Sequence, residues 1–342
     1  MTHQPAFSSF AGNGGLLMRL FVFILVLFAA IPAFAGTKVG FILSTMQEER
    51  YQRDKAVFEA TIKKLGGQVV FASCNNNEQT QAAQVDNLLS QGVKAIVIQP
   101  VNGDTAAGLV KQAKEDGVPT VSYDRLIRNA PVAFYVTEDS EKVGQLQAEA
   151  AVAQSGGKGN FVILMGQAGH SVAEARTRGV MNVLNKHPNI KIVVKQYHHA
   201  WSPNLAMATV ENALMKHKND IQAIIANNSG MAHGAIQALS EQKLTGKVFV
   251  AGADADLTAI RDIVAGKQQF EVFISITDMA ERAARAAWAL ANNEKPQQDT
   301  AIENGWGKIP TTNTPVFAVT KKNLEQQVIA TGFHTRKAVF GR

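Results

Sequence analysis

The chain has 342 residues, 46% of them hydrophobic and 18% charged, with a formal net charge of +6 and a single cysteine, Cys74. The ordinary apolar fraction excludes an intrinsically disordered chain, and the length suits two cores better than one. One cysteine excludes a disulfide scaffold and any multi-cysteine zinc site.

The first element is an apolar run, LFVFILVLFAAI at Leu20–Ile31, with Arg19 before it and Ala33-Phe34-Ala35 after it. A basic flank, a short apolar stretch and an A-x-A ending predict a secretory signal peptide over residues 1–35. As a helix the run rises about 18 Å, short of the roughly 30 Å of a bilayer core. The expected mature chain, 36–342, is therefore exported to the periplasm.

Short β-branched runs then alternate with amphipathic segments. Lys38–Leu43 reads as a buried strand, and Tyr51, Phe58, Ile62 and Leu65 share one helical face that stops at Gly66-Gly67. Gln68–Ala72, Ala95–Ile98 and Pro119–Tyr123 read as strands, with helices over Thr80–Gln91 and Ala106–Asp116 between them. Ala133–Thr137 is a further extended piece, followed by a helix from Ser140. The rhythm restarts with strands at Asn160–Leu164, Ile190–Gln196, Ile221–Ala226 and Val248–Ala251, and with helices that include Asn204–Lys216 and Ala232–Gln242. Such alternation is that of βαβ crossovers and predicts an α/β protein with two doubly wound parallel sheets. No proline-rich linker parts the halves, so short crossing strands are expected to form a hinge over a cleft, where strand carboxyl ends face a shared ligand.

Several chemistries find no support. No G-x-G-x-x-G, Walker A or G-x-S-x-G sequence follows a strand. His198 and His199 are adjacent in an expected strand and would point to opposite faces, and His187 and His217 lie near helix ends, so no metal is expected. Basic residues are interspersed with acids, as in Glu59/Lys63 and Lys111/Glu115, which describes a solvated surface rather than a nucleic-acid face.

What does gather is polar and sits at strand ends: Glu49-Arg50-Tyr51, Tyr123-Asp124-Arg125, Asn227-Asn228-Ser229 and Asp254-Ala255-Asp256. Acidic and amide acceptors with arginine donors suit a polyhydroxylated ligand, because each buried hydroxyl must both donate and accept. Trp201 can cover the apolar face of a sugar ring. The same Asp and Asn residues could instead cap the helices that follow, and position alone leaves both readings open.

The segments E-E-R-Y-Q-R-D at 48–54, S-Y-D-R at 122–125, D-S-E-K-V-G at 139–144, G-A-I-Q-A-L-S at 234–240, D-A-D-L at 254–257 and T-G-F-H at 331–334 resemble the periplasmic D-xylose-binding protein family. The similarity is collinear over nearly all of 36–342. It implies the type I periplasmic binding protein fold, with two lobes, three crossing strands and closure on a monosaccharide. It further implies no enzymatic activity, no cofactor, and delivery to the membrane permease of an ABC importer; a chemoreceptor is a second candidate partner. On this pattern lobe 1 comprises 36–137 and 276–315, and lobe 2 comprises 138–275 and 316–342. Carried over residue by residue, the resemblance implies ligand contacts from Arg50, Asp124, Arg125, Asn228 and Asp254, with Trp201 as an aromatic platform and Tyr51 where the family usually has tryptophan.

Three departures imply a ligand other than xylose. Ser171 and Ala173 stand where the family has an acid and an asparagine, Ile274 stands at a family lysine, and Tyr51 is smaller than tryptophan. The neutral reading is thus a sugar or cyclitol. The alternative is a phosphorylated sugar or cyclitol, its anion held by His170 and Ser171 at an expected helix N-terminus with Arg176 nearby. Against that stands Ser171-x-x-Glu174 as a plain capping box. Two remote classes complete the set: an effector-sensing domain of a LacI-type repressor, whose DNA-reading helices would occupy the place of the signal peptide, and a secreted enzyme.

Overall fold

A strand covered by helices on both faces reads as an unbroken apolar run rather than an alternation. AIVI at 95–98 and AIIA at 223–226 are such runs, and both are wholly buried inside sheets. The computed structural model of the protein describes residues 36–341; the expected signal peptide lies outside the described residues.

The first series runs β1 (Lys38–Leu43), α1 (Glu49–Lys64), β2 (Gln68–Ser73), α2 (Glu78–Ser90), β3 (Ala95–Ile98), α3 (Ala107–Glu115), β4 (Thr120–Tyr123) and β5 (Phe134–Glu138). The second runs α4 (Ser140–Ser155), β6 (Gly159–Met165), α5 (Ser171–Leu184), β7 (Ile190–Tyr197), a 3-10 turn (His199–Trp201), α6 (Pro203–Lys216), β8 (Ala223–Ala226), α7 (Ser229–Glu241), β9 (Phe249–Ala253), α8 (Leu257–Val264) and β10 (Phe270–Ile274). The chain closes with α9 (Ile276–Ala291), β11 (Thr300–Glu303), β12 (Lys308–Thr314), β13 (Val316–Val319) and α10 (Arg336–Phe340).

One sheet has seven strands in the order β11-β12-β5-β4-β3-β1-β2, the other six in the order β13-β10-β9-β8-β6-β7. Pairing is parallel except between β11 and β12 and between β10 and β13, so each sheet has its carboxyl ends on one edge. The chain passes between the sheets three times, from β5 into α4, from β10 into α9 and from β12 into β13. These passages stand side by side and form the hinge.

One helix contact positions the site. α4 and α5 meet backbone to backbone: a Cβ at Gly144 would lie 1.8 Å from the Arg176 carbonyl oxygen, and one at Gly179 would lie 1.9 Å from that of Glu141. Only glycine permits this approach, and it seats the helix that carries Arg176.

The expected pair of strand histidines is corrected. β7 ends at Tyr197; His198 is buried outside it, with Nδ1 3.0 Å from the Met165 carbonyl oxygen and Nε2 3.0 Å from the Thr209 hydroxyl, while His199 opens the 3-10 turn. The His198 N–H still bonds to Met165 O at 3.0 Å, and the chain turns away after it through Ala200 and Trp201, both in the left-handed region.

Candidate functional site

The carboxyl ends of β1, β4, β8 and β9 deliver Arg50 and Tyr51, Asp124 and Arg125, Asn228, and Asp254 to one cleft. α5 adds Arg176 and the turn after β7 adds Trp201, and all eight line one interlobe cavity of about 20 Å³. That volume is close to one water, so a larger guest must part the lobes.

Two aspartates end their strands in the same way. Asp124 N–H donates to Val136 O and Asp254 N–H donates to Val272 O, each 2.8–2.9 Å, and both residues have left-handed backbones, φ +62° and +100°. Neither caps a helix, which argues against the capping alternative for them. Positive φ at a non-glycine residue is strained and is held only where the surroundings insist on it. At Asp254 the surroundings include Glu271, fully buried behind the turn, which accepts from Ala255 N–H at 3.2 Å and from the Ser229 hydroxyl at 2.5 Å. Burial pushes the Glu271 carboxyl up to about 8.

The charges are paired inside each lobe. Arg50 reaches Asp124 Oδ1 at 3.2 Å and Asp54 Oδ2 at 3.3 Å. Burial alone would raise Asp124, but the guanidiniums of Arg50, Arg125 and Arg176 outweigh it and hold the carboxyl below its ordinary value. Burial raises Asp54 to about 6, and Tyr123 donates to it. Arg176, fully buried, reaches Asp254 Oδ1 at 3.1 Å and Glu138 Oε1 at 3.0 Å and donates to Asn227 O at 2.5 Å. Burial pushes both carboxyls up, and the one guanidinium they share only partly offsets it, while the two carboxylates keep Arg176 charged. Arg125 instead donates to neutral oxygens: Ser44 Oγ at 2.8 Å, Pro100 O at 3.2 Å and Tyr51 Oη at 3.1 Å. Tyr51 Oη also accepts from Gln99 at 3.2 Å, so neither of these two bonds uses its own proton.

Asn228 does cap a helix, its Oδ1 accepting from Met231 N–H at 2.9 Å, and its amide nitrogen remains for a ligand. The capping reading holds at Asn228, which also lines the cavity. His170 and Ser171 do not line the cavity. His170 is 1% exposed and spans the cleft: its Nε2 is 2.8 Å from Val101 O of the opposite lobe, and its Nδ1 accepts from the Trp201 indole at 2.9 Å. Burial, and then the Arg125 guanidinium, lower its pKa to about 2. Ser171 Oγ accepts from Leu126 N–H across the cleft at 2.7 Å, and Glu174 pairs with Arg128 there at 2.5 Å, so the capping box does not form either.

The strand-end rule missed Glu48 and Val172, which also line the cavity, and Gln99, whose Nε2 donates to Asp124 Oδ2 at 2.8 Å. Gln99 directly follows β3 and was available to the same rule. Val172 lies one helical turn before Arg176, on its face.

Residues 39–295 match the family model described as a periplasmic binding protein domain. The chain is 36% identical to the D-xylose-binding periplasmic protein of Haemophilus influenzae over 94% of its own length and 100% of that protein. It is 39% identical to the D-xylose-binding periplasmic protein of Escherichia coli, over 87% and 91% of the two chains. An ABC transporter solute-binding protein from Bacillus halodurans with bound myo-inositol superposes with a TM-score of 0.76 at 26% identity, covering 86% of this chain and 98% of that one.

Proposed function

The chain belongs to the periplasmic binding protein domain family, and on that premise we propose that it captures a neutral monosaccharide-sized polyol and presents it to the permease of an ABC importer. The ligand is a sugar or cyclitol other than D-xylose, held between the closing lobes without chemical turnover.

The observation that carries this is the pairing of charges within the cavity. Arg50 and Arg176 are each matched by two carboxylates, and Arg125 is spent on neutral oxygens. Such a lining offers fixed donors and acceptors without net positive charge, which suits hydroxyls and opposes a phosphate dianion. The neutral reading is also favoured over the phosphorylated one because both ring nitrogens of His170 are occupied. Departure from xylose is supported by Ser171, Ala173 and Ile274: none lines the cavity, so three positions of the family's xylose pattern supply no contact.

A thermal-shift screen of pentoses, hexoses, cyclitols and their phosphates tests the reading. A ligand at a hundred times its Kd stabilises by about 2.7 kcal/mol, a readily measured rise in Tm. At least one neutral polyol should respond more strongly than its phosphate. Silence across the panel, or conversion of the bound compound to product, overturns the proposal.

A further inference from the structure

Beside the small cavity lies a larger one of about 470 Å³, sharing Glu48, Trp201 and Asn228 with it. Its floor is apolar, from Pro203, Leu205 and Ala259 with the Trp201 ring, and Leu205 is left 47% exposed. Its polar wall carries the carboxylates of Glu48, Glu49 and Asp256 together with the imidazoles of His199 and His233, the latter already bonded to Asp262 at 2.7 Å, and no lysine or arginine lines it. None of the three is ion-paired among the described residues, in contrast to every carboxylate that holds Arg50 or Arg176. Glu48 Oε2 is buried without a hydrogen-bond partner, and Asp256, at the start of α8, makes no side-chain cap. Burial, reinforced by the neighbouring carboxylates of Asp254, Glu49 and Glu271, pushes the Asp256 carboxyl up, the mark of a site short of positive charge.

We propose that this second cavity is a subsite for an ammonium-bearing substituent on the ligand, so that the protein takes an amine-substituted glycoside or ether whose polyol ring occupies the inner cavity. The inference rests on the polyol reading of that inner cavity. The carbon arm of the substituent lies along Trp201, Pro203 and Leu205. Its three N–H donors reach Glu48 Oε2, Glu49 and Asp256, supplying the positive charge that the wall lacks.

The test pairs the 2-aminoethyl and ethyl glycosides, both anomers, or for a cyclitol the corresponding ethers, of each parent that responds in the screen above. Affinities are measured by calorimetry on the mature protein. Glu49 is exposed and Glu48 and Asp256 are partly buried, so each contact is worth at least a few-fold, and for at least one parent the aminoethyl compound should bind about tenfold tighter than its ethyl partner. The preference should shrink at high salt. In the variant Asp256→Asn, at a residue that lines the outer cavity and not the inner one, the preference for the aminoethyl compound should fall by at least threefold while the parent polyol binds as before. Equal affinity within every pair, or a preference that survives Asp256→Asn undiminished, overturns this inference and leaves the polyol reading standing. Failure of every parent to bind overturns both.

Discussion

Replacing His170 with alanine separates two views of the cleft. In the closed form this side chain donates from Nε2 to Val101 O across the interlobe gap, while Nδ1 accepts the indole N–H of Trp201. Removing the ring deletes one cross-lobe bond, worth about 1 kcal/mol net, and leaves a buried indole donor unpaired at a cost of about 1–3 kcal/mol. When the lobes part, water can reach both Val101 O and the indole, so the loss falls on the closed state alone. Ligand is retained by that state, and its population sets the apparent affinity. The two costs together, about 2–4 kcal/mol, should therefore weaken binding by roughly thirtyfold to several hundredfold. The loss should appear mainly as faster release in stopped-flow displacement, and calorimetry should find it equal for every ligand that binds. Because His170 is held neutral, with its pKa lowered to about 2, the loss should also be the same at pH 5 and pH 8. A variant that loses affinity only for phosphorylated compounds, or loses none, would refute the reasoning and return His170 to the role of an anion ligand.

Arg176→Met strips the shared counter-ion from Glu138 and Asp254 and should cost about 3–5 kcal/mol in urea unfolding. Those carboxyls then rise further above their unfolded values, so the variant should lose stability as pH climbs from 5 to 8; a pH-independent deficit below about 1 kcal/mol contradicts the pairing. Glu271, folded at about 8 against an ordinary 4.5, binds more protons in the native state between those values. Stability from this group is present at low pH and declines towards pH 8 by at most about 1.4 kcal/mol per unit, and Glu271→Gln should flatten that portion of the pH–stability curve. Gly144→Ala forces α4 away from the Arg176 backbone and should cost about 1–3 kcal/mol while also weakening ligand binding, since α5 shifts with it; an unchanged melting temperature would show that the helices are not in backbone contact.

The alternation of strands and helices was legible because buried parallel strands leave short apolar runs and the helices between them end at glycine. Lys38–Leu43 and Ala95–Ile98 coincide with the observed strands. The strands after Gly266 were not legible. TAIE at 300–303 is largely exposed and KIPTTNT at 308–314 carries proline and polar residues, so neither shows a buried pattern. Their pairing is decided by the hinge, which sequence periodicity does not encode. At the site, the polar strand ends included Arg50, Tyr51, Asp124, Arg125, Asn228 and Asp254, an aromatic face for the ligand suggested Trp201, and the family resemblance singled these out from their neighbours. The roles of His170 and Ser171 were hidden because they depend on what the opposite lobe presents. Val101 O and Leu126 N–H are backbone groups, and backbone groups leave no signature in a sequence.

The location of the ion pairs explains how a cleft so rich in charge can open at all. Arg50 with Asp54 and Asp124 lies within one lobe, and Arg176 with Asp254 within the other, with Glu138 at the hinge. The desolvation of these charges is met when each lobe folds and need not be met again at each closure. What joins the lobes is weaker. It includes the bonds from His170 to Val101 O, from Leu126 N–H to Ser171, from Leu257 N–H to Glu49 and from Arg53 to Phe333 O, plus the partly exposed pair Arg128–Glu174. Each is worth about 1 kcal/mol or less against water, so closure is near balance and a ligand's hydroxyl bonds can tip it. The strained backbones of Asp124 and Asp254 point the same way: on the proposed function their carboxylates are fixed before the ligand arrives, and little ordering entropy is charged to binding.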